Sequence, residues 1–355
     1  MSLLDRKDPL VSILIPNYNY GRYLRHCLDS VIAQTYTNIE VIIQDNASTD
    51  DSYEILLEYE LKYIKGEIDT YINVGRNKYN VGSDRNSTIC FSRSEGDFFM
   101  FLSSDDALKP EFVERCVGIL KNNPSVGMVM THREEIDENG VVRKTPPFFN
   151  KSFIVDGESQ AAVFMMAGIA VPSQIMMRTD ARRKMLRHRN YQLPVAGDWY
   201  NNFLFACVSD IGYIKEALCE YRVHSGNETS ESEKKLQGVF EHFILVNAFD
   251  ATAKSLGMEK PQKRYSEAVE KLGDMCLRYT YKMLINNEIV AAKKYLNLAI
   301  VLKETIVDDK RYNLLKEIVS IESKQERNAK LTAFGEEYVL ERTISYDPPE
   351  GFIEI

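Results

Sequence analysis

Residues 97–106 read DFFMFLSSDD, and this stretch decides the interpretation of the whole chain. Its first six residues are mostly apolar and predict a buried strand, and two adjacent acids, Asp105 and Asp106, follow where that strand ends. Residues 11–16 (VSILIP) and 40–44 (EVIIQ) predict two more buried strands, each followed by a predicted helix. Strands that alternate with helices are typical of an α/β domain whose sheet is mostly parallel.

Outward from this core, the chain divides into two regions of different character. Up to about residue 230, short strands and helices continue, including a hairpin that we expect to turn at Asn139 and Gly140. Beyond that point, long stretches carry apolar residues at helical spacing. The polar run at 227–233 therefore predicts a boundary between an α/β domain at 1–230 and an all-helical region at 231–355.

The composition is that of a soluble protein, with 44% apolar and 27% charged residues in a chain of 355. No apolar run approaches the roughly 20 residues that a membrane-spanning helix needs, and residues 1–9 do not resemble a secretory signal. We therefore expect a cytoplasmic protein, and peripheral association with the inner face of a membrane stays open. The net charge of −8 argues against nucleic-acid binding, which needs a basic face to replace phosphate counterions.

The cysteines are scattered singly, without a C-x-x-C pair or a histidine at zinc-ligand spacing. We expect reduced, mostly buried thiols, which fits a compartment where disulfides are uncommon. The six are Cys27, Cys90, Cys116, Cys207, Cys219 and Cys276.

Acidic and amide side chains follow two predicted strands, at the edge where open α/β sheets bind ligands. Asp45 and Asn46 come directly after residues 40–44, where a carboxylate or amide oxygen can accept a hydrogen bond from the N–H of a uracil-like base. The negative charges of Asp105 and Asp106 repel each other, and a bound divalent cation such as Mg²⁺ or Mn²⁺ would offset this repulsion. The alternative for Asp105 and Asp106 is a solvated turn. For residues 45–50 it is a turn that caps the next helix, a role that Ser48 and Asp50 favour.

Three further segments carry candidate functional residues. Asp198 begins an apolar helical segment, where it is either a helix cap or a general base. His224 ends the run YRVH at 221–224, and the loop NVGSDRN at 80–86 could bring backbone and Arg85 near a ligand. The usual motifs of dinucleotide oxidoreductases, P-loop enzymes, serine hydrolases and zincins do not occur.

Taken together and in order, these segments resemble glycosyltransferase family 2, a group of inverting enzymes with the GT-A fold. The resemblance covers about 215 residues and does not extend into the helical region. The matching segments are SILIPNYNYGRYL (12–24), DNASTDDS (45–52), NVGSDRN (80–86), FLSSDDALKP (101–110), GDW (197–199) and YRVH (221–224).

The resemblance implies a binding site for a nucleotide-diphosphate sugar, in which residues 1–131 hold the nucleotide and 132–230 form the acceptor side. The first matching segment would line the nucleoside pocket, Asp45 and Asn46 would face the base, and Asp105 would lie near the ribose and phosphates. The expected nucleotide-sugar-binding residues are Pro16, Asn17, Tyr18, Asp45, Asn46, Gly82, Arg85, Asn86, Ser104 and Asp105.

The resemblance also implies the catalytic machinery. Asp106 would hold a divalent cation, Mn²⁺ or Mg²⁺, with His224 as a further contact to the metal or diphosphate, and Asp198 would be the catalytic base. The sequence departs from the family pattern in two places: Asn46 and Ala47 replace the second Asp and the Gly of Asp-Asp-Gly, and Ser103 replaces the first acid of Asp-x-Asp-Asp.

The expected activity is transfer of a sugar, with inversion, from a UDP-sugar or a related donor to a hydroxyl of a glycan, lipid-linked or protein acceptor. Synthesis of a polysaccharide, cell-envelope glycan or glycoconjugate would be its setting. One alternative is a sugar nucleotidyltransferase, but a glycine-rich basic loop would then follow the first strand, where the chain reads PNYN at 16–19. The other is a catalytically inactive binding or scaffold protein, against which the presence of both Asp106 and Asp198 argues.

Overall fold

The computed structural model describes residues 8–193, 196–224, 236–338 and 345–355. The predicted boundary at 227–233 lies outside the described residues. Within them, one mixed sheet is flanked by helices, and a helical region follows, so the expected fold class is confirmed.

The sheet has the strand order β11-β8-β10-β6-β9-β4-β1-β2-β3, with β5 pairing β10 and β7 pairing β6. Pairing is parallel among β4, β1, β2 and β3 and between β6 and β10, and antiparallel where β9 joins β4 to β6 and where β8 joins β10. The strands are β1 (Val11–Asn17), β2 (Ile39–Asp45), β3 (Tyr71–Arg76), β4 (Phe98–Phe101), β5 (Ala107–Leu108), β6 (Val126–Ile136), β7 (Val142–Arg143), β8 (Phe153–Val155), β9 (Ile175–Arg178), β10 (Asp210–Arg222) and β11 (Ile353–Glu354).

Burial explains why the predicted strands form at the centre of the sheet. Every residue of β2 is buried and all but one of β1, as expected for parallel strands that are covered on both faces. The register of these strands places Asn17 beside Asp45 at their carboxyl ends. The two buried strands therefore bring the candidate residues Asn17 and Asp45 together.

The helices cover both faces of the sheet and then form a separate bundle. Helix α2 begins at Ser52, just beyond the segment 48–50 in which a cap was expected, and Asp50 accepts a hydrogen bond from the Ser52 N–H. The helices are α1 (Gly21–Ile32), α2 (Ser52–Ile64), α3 (Ser83–Ser92), α4 (Phe112–Asn122), α5 (Gly157–Phe164), α6 (Thr179–Met185), α7 (Gly197–Ala206), α8 (Gln237–Leu256), α9 (Glu259–Lys263), α10 (Tyr265–Ile285), α11 (Ile289–Leu302), α12 (Lys310–Ser320) and α13 (Lys324–Glu337).

The hairpin predicted around Asn139 and Gly140 is confirmed, since β6 and β7 pair across this turn and Gly140 has a φ of 82°. Positive φ is the conformation that glycine adopts without steric cost. Four strands were not predicted: β5, which directly follows the acidic pair, and β8, β10 and β11, which pair with one another at the far edge of the sheet.

Helix α8 packs into two of the three hydrophobic cores. Its Leu245 and Phe249 are buried with residues of α5 and α7 beside the sheet, whereas its Val239 is buried with the bundle of α10–α13. The Phe249 ring stacks on that of Phe203 in α7, with centroids 4.1 Å apart. The first helix of the helical region is therefore packed as part of the α/β domain.

The expected state of the cysteines is confirmed. All six are free thiols, and all but the half-buried Cys207 are buried.

Candidate active site

Asp45 is held inside a network at the carboxyl end of β2 and is fully buried. It accepts hydrogen bonds from Asn17 Nδ2 at 3.0 Å and from Ser48 N at 3.0 Å, and Arg76 Nε lies 3.3 Å from its second oxygen. The carboxylate therefore fixes the ends of β1, β2 and β3 relative to one another. Its contact with a nucleotide base stays a prediction.

Asn46 organises the loop that precedes α3. Its side-chain oxygen accepts hydrogen bonds from Asn77 Nδ2 and Val81 N, both at 2.9 Å, and its amide nitrogen donates to Asn80 Oδ1 at 2.8 Å. The buried Asn86 accepts from Asn77 Nδ2 at 2.8 Å. These amides hold residues 77–86 against the end of β2.

Other expected nucleotide-binding residues surround this network. Ser104 is buried and donates to the Pro16 carbonyl at 3.3 Å, which links the acidic turn to the end of β1. Tyr18 is 40% exposed, and Gly82 and Arg85 are exposed at the start of α3. The fold thus brings together at one edge all the residues predicted to bind the nucleotide sugar.

Asp106 is buried behind the surface of the site. One carboxylate oxygen accepts from Ser173 Oγ at 2.6 Å and the other from Arg222 N at 2.8 Å. Burial, together with the neighbouring charge of Asp105, raises the pKa of Asp106 to about 7. The carboxyl group ties the acidic turn to the segment before β9 and to the end of β10.

His224 lies beside Asp105, with Nε2 3.1 Å from Asp105 Oδ2. The Asp105 side chain is 13% exposed and that of His224 is 2% exposed. Rings of Tyr20 and Tyr23 pack against the imidazole, and Arg222 Nε donates to the Asp105 carbonyl at 2.9 Å. The end of β10 therefore brings the histidine to the acidic turn, as its predicted role requires.

The chemistry of these donors suits a hard divalent cation. Asp105 supplies carboxylate oxygens and His224 an imidazole nitrogen at hydrogen-bonding distance, with the Asp106 carboxylate adjacent in the chain. Across the described ranges, no cluster of three or more His, Cys, Asp or Glu side chains is arranged to hold a metal alone. These side chains could therefore hold a cation only together with further ligands.

Asp198 lies in the first turn of α7 and is half-buried. Its Oδ1 accepts from Trp199 N at 2.7 Å, and no Lys, Arg or His in the described part of the chain forms an ion pair with it. Burial raises the pKa of the Asp198 carboxyl above its ordinary value. The indole of Trp199 donates to the Phe164 carbonyl at 2.7 Å and thereby anchors the start of α7.

Three supporting residues were not singled out from the sequence. Arg76 neutralises Asp45 and donates to the Ser48 carbonyl at 2.9 Å, Ser173 holds Asp106, and Arg222 contacts both members of the acidic pair. Arg222 lies within the YRVH segment, whose resemblance to the family pattern could have indicated this residue. Ser173 is 67 residues from its partner and has no local signal.

No helix in the described residues is both long enough and apolar enough to cross a membrane.

Comparisons of sequence identify relatives of this chain. It matches Glycosyl transferase family 2 over residues 12–186. It is 30% identical over 245 residues to an uncharacterized glycosyltransferase of Nostoc sp., covering 65% of this chain and 72% of that protein. Chondroitin synthase of Escherichia coli is 27% identical over 287 residues, which are 79% of this chain and 38% of the synthase.

Solved structures show the same fold. TarS 1-349 of S. aureus in complex with UDP-GlcNAc superposes with a TM-score of 0.58 at 14% identity, covering 96% of this chain and 98% of that one. The mannosyltransferase PcManGT from Pyrobaculum calidifontis, in complex with GDP-Man and Mn²⁺, has a TM-score of 0.52 at 15% identity, covering 94% and 88%. The expected GT-A fold is thereby confirmed. With the family match and the Nostoc relative, it follows that the chain belongs to glycosyltransferase family 2 and is a nucleotide-sugar glycosyltransferase.

Proposed function

We propose that this glycosyltransferase transfers a sugar from a UDP-sugar to an acceptor hydroxyl with inversion of the anomeric centre. The observation that carries this proposal is the Asp198 carboxyl, which is half-buried, has a raised pKa and lacks a cationic partner in the described residues. Such a group is suited to accept a proton, whereas a carboxylate held by a cation is a weaker base. A setting in polysaccharide, cell-envelope glycan or glycoconjugate synthesis, at a cytoplasmic location, belongs to the same proposal.

In the proposed reaction, Asp198 takes the proton of the acceptor hydroxyl as its oxygen attacks the anomeric carbon. The bond to the nucleotide diphosphate breaks in the same displacement, and the diphosphate leaves from the opposite face, so the configuration inverts. The hydrogen bond from Trp199 N and the anchored indole hold the carboxylate in orientation during this step.

The donor would bind at the carboxyl edge of β1 and β2. Asn17 supports this placement, because its buried side-chain oxygen has no hydrogen-bond partner within the described ranges and can accept from a base or ribose donor. The exposed Tyr18 and Arg85 are available to contact the nucleotide. Asp45, Asn46 and Asn86 shape the pocket through the network described above.

For the metal we assign Asp105 and His224 as the ligands and give Asp106 the task of positioning the turn. The sequence-based expectation that Asp106 holds the metal stays a prediction, and we favour Asp105 because its side chain is 13% exposed, whereas Asp106 is 1% exposed and accepts hydrogen bonds from Ser173 and Arg222. When bound, a divalent cation stabilises the negative charge of the leaving diphosphate. The Mn²⁺ in the complex of the mannosyltransferase with GDP-Man supports this proposal.

Isothermal titration calorimetry with UDP tests the donor site. We expect binding in Mn²⁺ or Mg²⁺ that is strongly weakened by EDTA and by Asp105→Asn, because the chain has a net charge of −8 and needs a cation to neutralise two phosphates. The exposed Glu304→Gln, on the helical region, is the matched control. Equal affinity with and without EDTA would contradict the metal assignment.

A further inference from the structure

A strongly basic segment follows β9 on the acceptor side of the domain. Residues 182–189 read RRKMLRHR and contain five Lys or Arg residues and no acid, in a chain whose net charge is −8. They form the end of α6 and the short 3₁₀ helix Leu186–His188. Positive charge concentrated in this way on an acidic protein attracts an anionic partner.

The basic segment runs along α3 towards the donor loop. At one end, the Arg182 guanidinium lies 3.8 Å from the ring centroid of Phe91, near the end of α3. At the other end, Arg189 Nη2 lies 3.5 Å from Asp84 Oδ1, in the first turn of α3. The segment therefore ends next to Arg85 and the loop that Asn46 holds in place.

The same end of the basic segment is attached to the catalytic helix. The Tyr200 hydroxyl in α7 donates to the His188 carbonyl at 3.4 Å and accepts from Asn190 N at 3.3 Å. Tyr200 is two residues after Asp198 in that helix. The end of the basic segment thus lies beside both the loop before α3 and helix α7, which carries the proposed base.

Most of this positive charge is not neutralised within the described residues. Arg183, Lys184 and Arg187 are exposed, and no carboxylate in the described part of the chain pairs with them. The Nε of Arg189 is buried without a hydrogen-bond partner in those residues, although Asp84 faces its Nη2. Burial, with the neighbouring Arg189, lowers the pKa of Arg182, as expected for cations close together without an acid between them.

A cleft adjoins the start of the basic segment. Lys184, with Arg178 of β9, lines a cleft of about 550 Å³ at the amino ends of β6 and β10. Glu158, Asp180 and Asp210 line the same cleft, so acids outnumber bases there and the excess of positive charge is confined to residues 182–189. Three exposed cations spread over residues 183–187 suit a ligand with several anionic groups better than a single small ion.

We propose that the acceptor is a polyanionic chain, bearing repeated phosphate or carboxylate groups, and that residues 182–189 bind it and direct its end towards Asp198. This inference rests on the proposed transfer function. An anionic membrane surface is the competing partner, but the attachment of the segment to α3 and to Tyr200 favours a ligand that enters the active site.

The test compares two triple variants of the full chain. Arg183→Gln/Lys184→Gln/Arg187→Gln removes exposed charges of the segment, and Lys293→Gln/Lys294→Gln/Lys324→Gln removes three exposed charges of the helical region as a matched control. Thermal melting establishes that both variants are folded. The probes are fluorescein-labelled polyphosphate, oligogalacturonate and neutral dextran, whose binding is followed by fluorescence anisotropy at about 0.1 M salt.

We expect the wild type to bind one or both polyanions but not dextran, and the segment variant to bind about tenfold more weakly, which corresponds to about 1.4 kcal/mol. The control variant should bind as the wild type does, and the comparison of polyphosphate with oligogalacturonate distinguishes phosphate from carboxylate. Absence of polyanion binding by the wild type, or equal loss in both variants, would overturn the inference.

Two further readouts separate this inference from its alternatives. Sedimentation with vesicles of phosphatidylcholine and phosphatidylglycerol that depends on the segment, in the absence of polyanion binding, would assign the segment to a membrane and contradict the proposal. Hydrolysis of nucleotide sugars by the wild type tests the proposed function separately. If donor turnover is present and polyanions do not bind, only the inference about the acceptor fails.

Discussion

At the scale of single residues, two carboxyl groups hold protons more readily than ordinary aspartates, for different reasons. Asp198 does so because burial disfavours its charged form, and Asp106 because burial is reinforced by the neighbouring Asp105. Burial therefore makes the Asp198 carboxylate a stronger base, and no cationic side chain in the described residues pairs with it. Asp106, in contrast, is buried and serves to position the acidic turn through its hydrogen bonds with Ser173 and Arg222.

Replacement of Asp198 by Asn tests its proposed role as base. The substitution keeps the size and removes the basicity, so we expect turnover to fall by about 10² to 10⁴ while the affinity for UDP stays unchanged. Single-turnover kinetics and calorimetry measure the two quantities. Unchanged turnover would leave Asp198 with a structural role only, in the first turn of α7, and a collapse in UDP affinity would place it in the donor site.

The raised pKa of Asp198 also predicts a pH dependence. Because only the deprotonated group accepts a proton, kcat/KM should fall as the pH drops through this pKa, at a pH above the value of about 3.9 typical of an exposed aspartate. A carboxyl with a raised pKa in the folded state costs stability at higher pH, where it is charged. Asp198→Asn should therefore melt at a higher temperature than the wild type at neutral pH, and a lower melting temperature would contradict the cause assigned to the shift.

Asp105 and Asp106 should respond differently to substitution. Asp106→Ala leaves the Ser173 hydroxyl and the Arg222 N–H without their acceptor, at about 1–3 kcal/mol for each buried donor. Asp105→Ala should change the free energy of unfolding by less and still weaken metal-dependent UDP binding. Urea unfolding of both variants is the measurement, and equal destabilisation would contradict the separation of roles.

The sequence predicted the type and position of these residues but not their partners. A strand, an acidic pair and a helix follow one another directly in the sequence. Asp105 and Asp106 could therefore be placed at a strand end from the sequence pattern alone. Ser173 and Arg222 reach them through strand order and the register of β10, which depend on packing between distant segments. The burial of Asp45, likewise, follows from three strands meeting around it.

At the scale of elements, the loop before α3 depends on one side chain at the end of β2. Asn46→Ala removes three hydrogen bonds to residues 77–81, each contributing about 0.5–1.5 kcal/mol. We expect weaker UDP binding and a higher KM for the donor, because the loop carrying Arg85 is no longer held. Asn328→Ala, at an exposed position of α13, is the control, and equal donor KM values in the two variants would contradict this role.

Local patterns located most strands near the nucleotide site but not their full length. The apolar run at 127–131 (GMVMT) predicts a strand of five residues. In the structure, β6 runs to Ile136 and pairs with a thirteen-residue β10 that contains irregularities in register. The polar end of β6 has no clear strand pattern and is held by its pairing with β10. Strand β11 is likewise defined by its neighbour β8.

At the scale of the whole molecule, α8 belongs structurally to the catalytic domain. Phe249→Ala should cost about 3–5 kcal/mol, because it removes a fully buried ring stacked on Phe203. Phe240→Ala, in the same helix but 54% exposed, should change the free energy of unfolding by less than about 0.5 kcal/mol. Similar effects of the two substitutions would contradict the placement of α8 in the core.

The packing of α8 against the α/β domain also determines the expected effect of removing the helical region. The sequence predicts that residues 231–355 support acceptor or partner recognition and supply no donor chemistry. Truncation after residue 230 exposes the surface that Leu245 and Phe249 cover, so we expect an aggregating or unfolded product. A soluble truncate that still hydrolyses the donor would contradict the structural role of α8 and support a boundary near residue 230.

Donor turnover most directly tests the proposal that this protein is a metal-dependent transferase with Asp198 as its base. A panel of nucleotide sugars is incubated with the wild type and with Asp198→Asn, in Mn²⁺, in Mg²⁺ and in EDTA, and release of the nucleoside diphosphate is measured. We expect metal-dependent turnover of at least one UDP-sugar by the wild type, lost in EDTA and lowered by about 10² or more in Asp198→Asn. Turnover that persists in EDTA, or that is the same in both proteins, would contradict the proposal.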